Sequence, residues 1–296
     1  MVAQFWAAPG VCLSAMLRAV CAIAFATIVI AACIAVQTVP VSAQGREPIG
    51  FAGPWSIFPG NGATGAVIST SAFAPDRHTP LVKLDAARPV GAALLSAGLL
   101  PDPYRGTGLF NWPGAYANQR VRGDKLDFAP VTDAQRRANP WLKSRRNPFA
   151  QPWWYRRKFT LPAGLAADRT RQFWLDIEAM NYTATIWLNG QAVYGPVSGP
   201  YRRHPVRLPA ELLRAGVNIL AVEVRHPGRE ELGHSWIDWI ATPPDKMQGV
   251  RREPELFATG AARLRNTLLL TQSVGEAGAR IEFATTVKAR AAGRVA

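Results

Sequence analysis

Cysteine is almost missing from this chain: three occur in 296 residues, Cys12, Cys21 and Cys33. All lie in an apolar leader. Once that leader is removed the mature chain has none, which excludes disulfides, a thiolate metal site and a thiol nucleophile. Histidine is nearly as scarce. His78, His204, His226 and His234 have no close metal-ligand spacing, and no HExxH, Gly-x-Ser-x-Gly or phosphate-loop pattern occurs. The sequence therefore predicts no metal and no other cofactor. Internal repeats, heptads and low-complexity tracts are also lacking, which excludes solenoids and coiled coils.

Negative charge is in short supply as well. Asp and Glu number 20 against 34 Lys and Arg, a net charge of +14. A basic surface attracts phosphate whatever its fold. Yet the arginines are scattered, and the densest group, Arg136, Arg137, Lys143, Arg145 and Arg146, sits in a polar stretch with Pro140 and Pro148 that reads as a loop. Nucleic acid is therefore not the expected partner. The same charge repels a cationic amino-sugar polymer at long range and favours a neutral or acidic glycan.

The leader has its own logic. Met16-Leu17-Arg18, the apolar run 19–36 and the small residues Val41-Ser42-Ala43 fit a secretory signal peptide over residues 1–43, with translation starting at Met1 or Met16 and cleavage after Ala43. Two readings compete: a membrane anchor, since the run approaches a spanning length, and a lipoprotein signal at Ile30-Ala31-Ala32-Cys33. The apolar run continues past Cys33, which argues against the second. The expected location is secreted or periplasmic, with no stable membrane span.

What is present is β-structure with ample core material, 48% of residues being hydrophobic and 18% charged. Phe173, Leu175 and Ile177 alternate with Trp174, Asp176 and Glu178. Asn189-Gly190 tolerates the positive φ angles of a type I′ turn between Ala184–Leu188 and Gln191–Tyr194, so a hairpin is expected there. Asn218–Val224 is a further strand. Short alternating strands between turn signals predict an antiparallel sandwich. Trp55–Ser71 reads as entry strands, Leu81–Leu84 as a short strand, and Val90–Gly98 as a short helix ended by Gly98 and Pro101. Residues 102–152 read as a long irregular excursion in which Tyr104 and Trp112 are weak glycan-contact candidates. Trp153-Trp154-Tyr155 opens a strand, so its aromatics point to opposite faces.

One cluster suits saccharide chemistry: His234-Ser235-Trp236-Ile237-Asp238-Trp239, followed by Pro243-Pro244-Asp245. Indole faces stack on the apolar face of a sugar ring while a carboxylate accepts hydrogen bonds from its hydroxyls. Residue types alone equally allow Trp236 and Trp239 to close the edge of a core and Asp238 to cap a turn.

The order Asn147-Pro148, Pro152–Arg157, Trp187-Leu188-Asn189-Gly190, Gly216–Val224, Ile237-Asp238-Trp239, Thr242–Asp245 and Gly249, with Pro101–Thr107 upstream, resembles glycoside hydrolase family 2, nearest its exo-β-D-glucosaminidase and β-mannosidase branch. The likeness runs from about residue 54 to 290. It implies an all-β chain: a jelly-roll, galactose-binding-like antiparallel β-sandwich over 44–258, then the first strands of a truncated immunoglobulin-like sandwich over 259–296. Such enzymes continue into a (β/α)₈ barrel carrying two catalytic glutamates, which needs about 250 residues and for which these residues leave no room. The resemblance also implies that Asp238, with Trp239 and Trp236 beside it, contacts the terminal β-linked sugar without being a catalytic acid or nucleophile. The expected role is the non-catalytic carbohydrate-binding part of an exported exo-glycosidase, as a fragment or a truncated gene product, its partners being the sugar and the missing barrel. The alternative is a stand-alone carbohydrate-binding or scaffold protein. One departure stands out: Arg251 occupies the place where the family usually has an aromatic residue, which loosens the expected packing against a neighbouring domain.

Overall fold

The computed structural model describes residues 45–60, 62–77, 79–105, 112, 148–228, 230–233 and 243–289. The leader and its cysteines lie outside the described residues. Glu47–Ala258 forms one compact unit, and residues from Thr259 onward belong to another.

The first unit is a sandwich of two sheets. A four-stranded sheet runs in the order β1 (Glu47–Pro48), β12 (Glu255–Thr259), β5 (Gln172–Ile177), β9 (His204–Leu208). A six-stranded sheet runs β3 (Val82–Leu84), β2 (Phe51–Pro59), β4 (Trp153–Leu161), β10 (Gly216–Arg225), β7 (Thr183–Leu188), β8 (Gln191–Ser198). β2, β3, β4, β7, β8 and β10 pair antiparallel throughout the second sheet, as do β5 with β9 and β1 with β12 in the first. A two-stranded patch joins β6 (Met180–Asn181) to β11 (Gly249–Val250).

Strand period explains both hydrophobic layers. In β4, Trp153, Tyr155, Phe159 and Leu161 enter the main core between the sheets, facing residues such as Leu175, Ile177 and Val206. Trp154 points the other way, into a smaller core with Phe58, Ile68, Phe73 and Ala221. All three aromatics that open β4 are therefore structural.

That smaller core corrects the reading of Trp55–Ser71 as strand. The strand stops at Pro59, and Gly65–Ile68 forms a single helical turn, α1. It lies against the outer face because Ile68 needs cover and because Gly65 sits so close to the Trp187 ring that no Cβ would fit. Arg156 secures the segment by donating from Nε to the Ile68 carbonyl (2.8 Å) and from Nη2 to that of Thr70 (2.9 Å).

The hairpin between β7 and β8 forms as expected, with Asn189 at φ +48°, Gly190 at φ +97°, and Leu188 facing Gln191. The short helix also forms, as α2 (Val90–Ser96), and Gly98 at φ +69° ends it. A further helical turn, α3, covers Ala163–Ala167. Trp112 is corrected from glycan-contact candidate to core: it is 6% exposed and donates its indole N–H to the Pro101 carbonyl at 2.8 Å. Tyr104 is exposed. In the second unit, β13 (Ala262–Gly275) and β14 (Gly278–Ala289) pair antiparallel as a long ribbon. Among the described residues no helix is long and apolar enough to cross a membrane.

Candidate functional site

Asp238, Trp239 and Trp236 lie outside the described residues, within 234–242. The structure does describe both shoulders of that segment, His226–Gly228 with Glu230–Gly233 on one side and Pro243–Val250 on the other.

The second shoulder is built around Asp245. Its side chain is buried, accepting from the Gly91 amide at 3.2 Å and from the Met247 amide at 3.1 Å. Gly91 has no side chain because a Cβ there would strike the Asp245 carboxylate and the Trp112 ring. Burial pushes the Asp245 carboxyl above the usual carboxylate range, while the two amides pull it part of the way back.

After Asp245 the chain turns sharply. Lys246 and Met247 both take left-handed backbone conformations, φ +46° and +53°, which non-glycine residues adopt only when neighbours hold them there. Asn181 does so by donating from Nδ2 to the Lys246 carbonyl (2.6 Å) and the Met247 carbonyl (3.3 Å). Gln248, fully buried, donates from Nε2 to the carbonyls of Gln151 (2.9 Å) and Val224 (3.0 Å), and its backbone carbonyl accepts from the Val90 amide (2.8 Å). Gly249 at φ +127° then passes over Tyr155, where a Cβ would collide with the phenol oxygen. The Tyr155 hydroxyl donates to the Arg88 carbonyl at 2.8 Å, and burial pushes its pKa upward. Asp245 is therefore an anchor of the turn rather than a ligand group.

The first shoulder is held by simpler means. The Tyr182 amide donates to the Arg225 carbonyl at 2.7 Å, and Glu231 accepts from the Gly228 amide at 2.6 Å. Lys246 Nζ reaches toward the Pro227 carbonyl at 3.5 Å, bringing the two shoulders to one end of the sandwich. The strands nearest segment 234–242 are β10, which ends at Arg225, and β11, which begins at Gly249.

Sequence reasoning missed a cleft of about 250 Å³ lined by Glu178, Ala179, Pro200, Tyr201, Arg203, Arg251 and Arg252. The odd residue at 251 was its only signal, since the seven residues come from three distant parts of the chain. Among the described residues no group of His, Cys, Asp and Glu is arranged to hold a metal ion.

The two sheets and their antiparallel pairing define a jelly-roll sandwich of the galactose-binding-like class. Residues 130–251 match the family model of the glycosyl hydrolase 2 galactose-binding-like domain. Over these residues the chain is similar to that domain of glycoside hydrolase family 2. It is 34% identical over 122 residues to an exo-β-D-glucosaminidase of Amycolatopsis orientalis, covering 40% of this chain and 11% of that protein. An exo-β-D-glucosaminidase of Streptomyces avermitilis is 32% identical over 146 residues, covering 48% and 15% respectively. Among solved structures, the exo-chitosanase CsxA of Amycolatopsis orientalis shares the fold with a TM-score of 0.61 at 23% identity, over 84% of this chain and 25% of that one. The matched part thus spans 11% and 15% of the length of the two curated relatives.

Proposed function

We propose that this chain is the non-catalytic, sugar-binding N-terminal part of an exported family 2 exo-glycosidase. The observation that carries the reading is the likeness over residues 130–251, which include the whole of segment 234–242, to the galactose-binding-like domain of such enzymes. In this reading the two shoulders present the loop at the mouth of a barrel. Asp238 accepts hydrogen bonds from hydroxyls of the terminal β-linked sugar, and Trp239 and Trp236 supply stacking faces. The net charge of +14 favours a neutral or acidic glycan over a cationic one.

Bond cleavage needs two carboxyls, about 5 Å apart in a retaining enzyme, flanking the scissile bond. They belong to the barrel, so the purified chain of 296 residues should hydrolyse no aryl glycoside. Fusing the chain to a barrel from a close relative restores activity, and Asp238→Ala in that chimaera lowers kcat/KM by about 5-fold to 150-fold, the loss of one sugar hydroxyl contact worth about 1–3 kcal/mol. Turnover by the chain alone, or a chimaera indifferent to Asp238→Ala, would refute the corresponding half of the proposal. Export is the second part of it. Expressed in a bacterium with export machinery, the protein should leave the cytoplasm with residues 1–43 removed. Mass spectrometry of the N-terminus checks this, and a retained leader or a lipid on Cys33 rules it out.

A further inference from the structure

The cleft beneath Arg251 has a chemistry of its own. Three guanidinium groups, Arg203, Arg251 and Arg252, line it against one carboxylate, Glu178. Glu178 engages two of them, through Oε1 to Arg203 Nη2 at 3.4 Å and through Oε2 to Arg252 Nη1 at 2.8 Å. The Arg251 guanidinium has no ion-pair partner among the described residues, so the cleft presents a net positive charge. Tyr201, 70% exposed, forms another wall.

The backbone beneath these side chains is fixed. Ile177 faces His204 across β5 and β9, which sets Glu178 beside Arg203. The Arg251 amide donates to the Ala179 carbonyl at 3.0 Å. One residue beyond Arg252, Glu253 accepts from the Trp55 indole (2.8 Å), the Ala87 amide (2.6 Å) and Arg157 (2.6 Å). The arginine pair therefore sits on a strap tied down at both ends. The side chains above it remain exposed, and exposed ion pairs such as those of Glu178 hold their partners weakly. These arginines can turn onto a ligand at little cost.

We propose that this cleft is a second saccharide subsite, specific for a sugar ring that carries a carboxylate. A guanidinium offers two parallel N–H groups to a carboxylate, a geometry that an ammonium cannot match. The phenol ring of Tyr201 offers an apolar face to the C–H face of a pyranose. At about 250 Å³ the cleft falls below the roughly 300 Å³ at which pockets for drug-sized molecules begin, which limits the occupant to a single ring. That the ligand is a saccharide rests on the carbohydrate reading above, whereas the preference for an acid rests on the charge and geometry of this cleft alone.

Calorimetric titration of the full chain at low salt tests the proposal, with trigalacturonate, its methyl ester and sodium acetate as probes. Trigalacturonate should bind, and its affinity should fall about 10-fold or more in the methyl ester and in Arg251→Ala, with Arg251→Lys in between. Arg251 is exposed, so the variant should keep the wild-type circular dichroism. Asp238→Ala should leave this binding unchanged while weakening any neutral-sugar binding, so the two sites fail independently. Equal binding of acid and ester, or of wild type and Arg251→Ala, overturns the subsite. Acetate binding as tightly as trigalacturonate reduces it to a bare anion site and overturns the saccharide claim.

Discussion

Asp245 shows how one residue type can be legible while its role is not. In the sequence it stands only as the last residue of the Pro243-Pro244-Asp245 run that follows the aromatic cluster. Its role is decided by the Gly91 amide, which lies 154 positions away and meets its carboxylate only in the fold. The proton balance at this buried group makes a prediction. Its folded pKa is raised above the ordinary 3.8, so the folded state holds the proton more tightly than the unfolded chain does. Stability from this group is thus full below that value and falls as pH rises toward the folded pKa. Asp245→Asn removes the dependence. In urea unfolding the advantage of wild type over the variant should be greatest below pH ~4 and shrink as the pH is raised across the acidic span to neutrality. Two curves that stay parallel across that span would contradict this account.

At the scale of elements, local patterns were readable and distant partners were not. The β7–β8 hairpin and helix α2 depend on neighbouring residues, Asn189-Gly190 for the turn and Gly98 for the helix end, so the sequence displays them directly. α1 could not be seen, because its cause is the outer, Trp154-bearing face of a strand nearly ninety residues later, where Arg156 meets Ile68 across 88 positions. Asn189 also does more than permit a positive φ. Its Nδ2 donates to the Leu212 carbonyl (2.8 Å) and to Asn218 Oδ1 (2.7 Å), while its Oδ1 accepts from the Ile219 amide (2.9 Å). Asn218, fully buried, in turn holds the Arg214 and Gly216 carbonyls. Asn189→Ala therefore strains the turn and leaves buried polar groups unpaired, with an expected loss of about 2–4 kcal/mol in unfolding free energy. A double-mutant cycle with Asn218→Ala should show coupling of about 0.5–3 kcal/mol. Strict additivity would mean that the two asparagines do not act together.

For the whole molecule, the class of fold was legible because alternation and turn chemistry repeat along the chain, whereas the order of strands depends on pairings such as β2 with β4 that no local signal reveals. The proposed sugar contacts at Asp238, Trp239 and Trp236 came from the order of motifs rather than from periodicity, and the arginine cleft escaped because its walls come from separate connections. The two compact units also differ in how they bury apolar surface. Both hydrophobic cores are made wholly from residues within Glu47–Ala258. The β13–β14 ribbon instead exposes Leu264, Leu269, Ile281, Phe283 and Val287, with Leu264 facing Val287 and Leu269 facing Phe283 across the ladder. Two strands alone are marginally stable in water, and exposed apolar strand edges invite pairing between molecules. A chain ending after Gly260 should therefore keep the β-type circular dichroism of the sandwich and melt within a few degrees of the 296-residue chain. It should also show less self-association in sedimentation at matched concentration. Loss of the cooperative melt would mean that the sandwich does not stand on its own core. Unchanged association would mean that the apolar stripe of the ribbon is not what brings the molecules together.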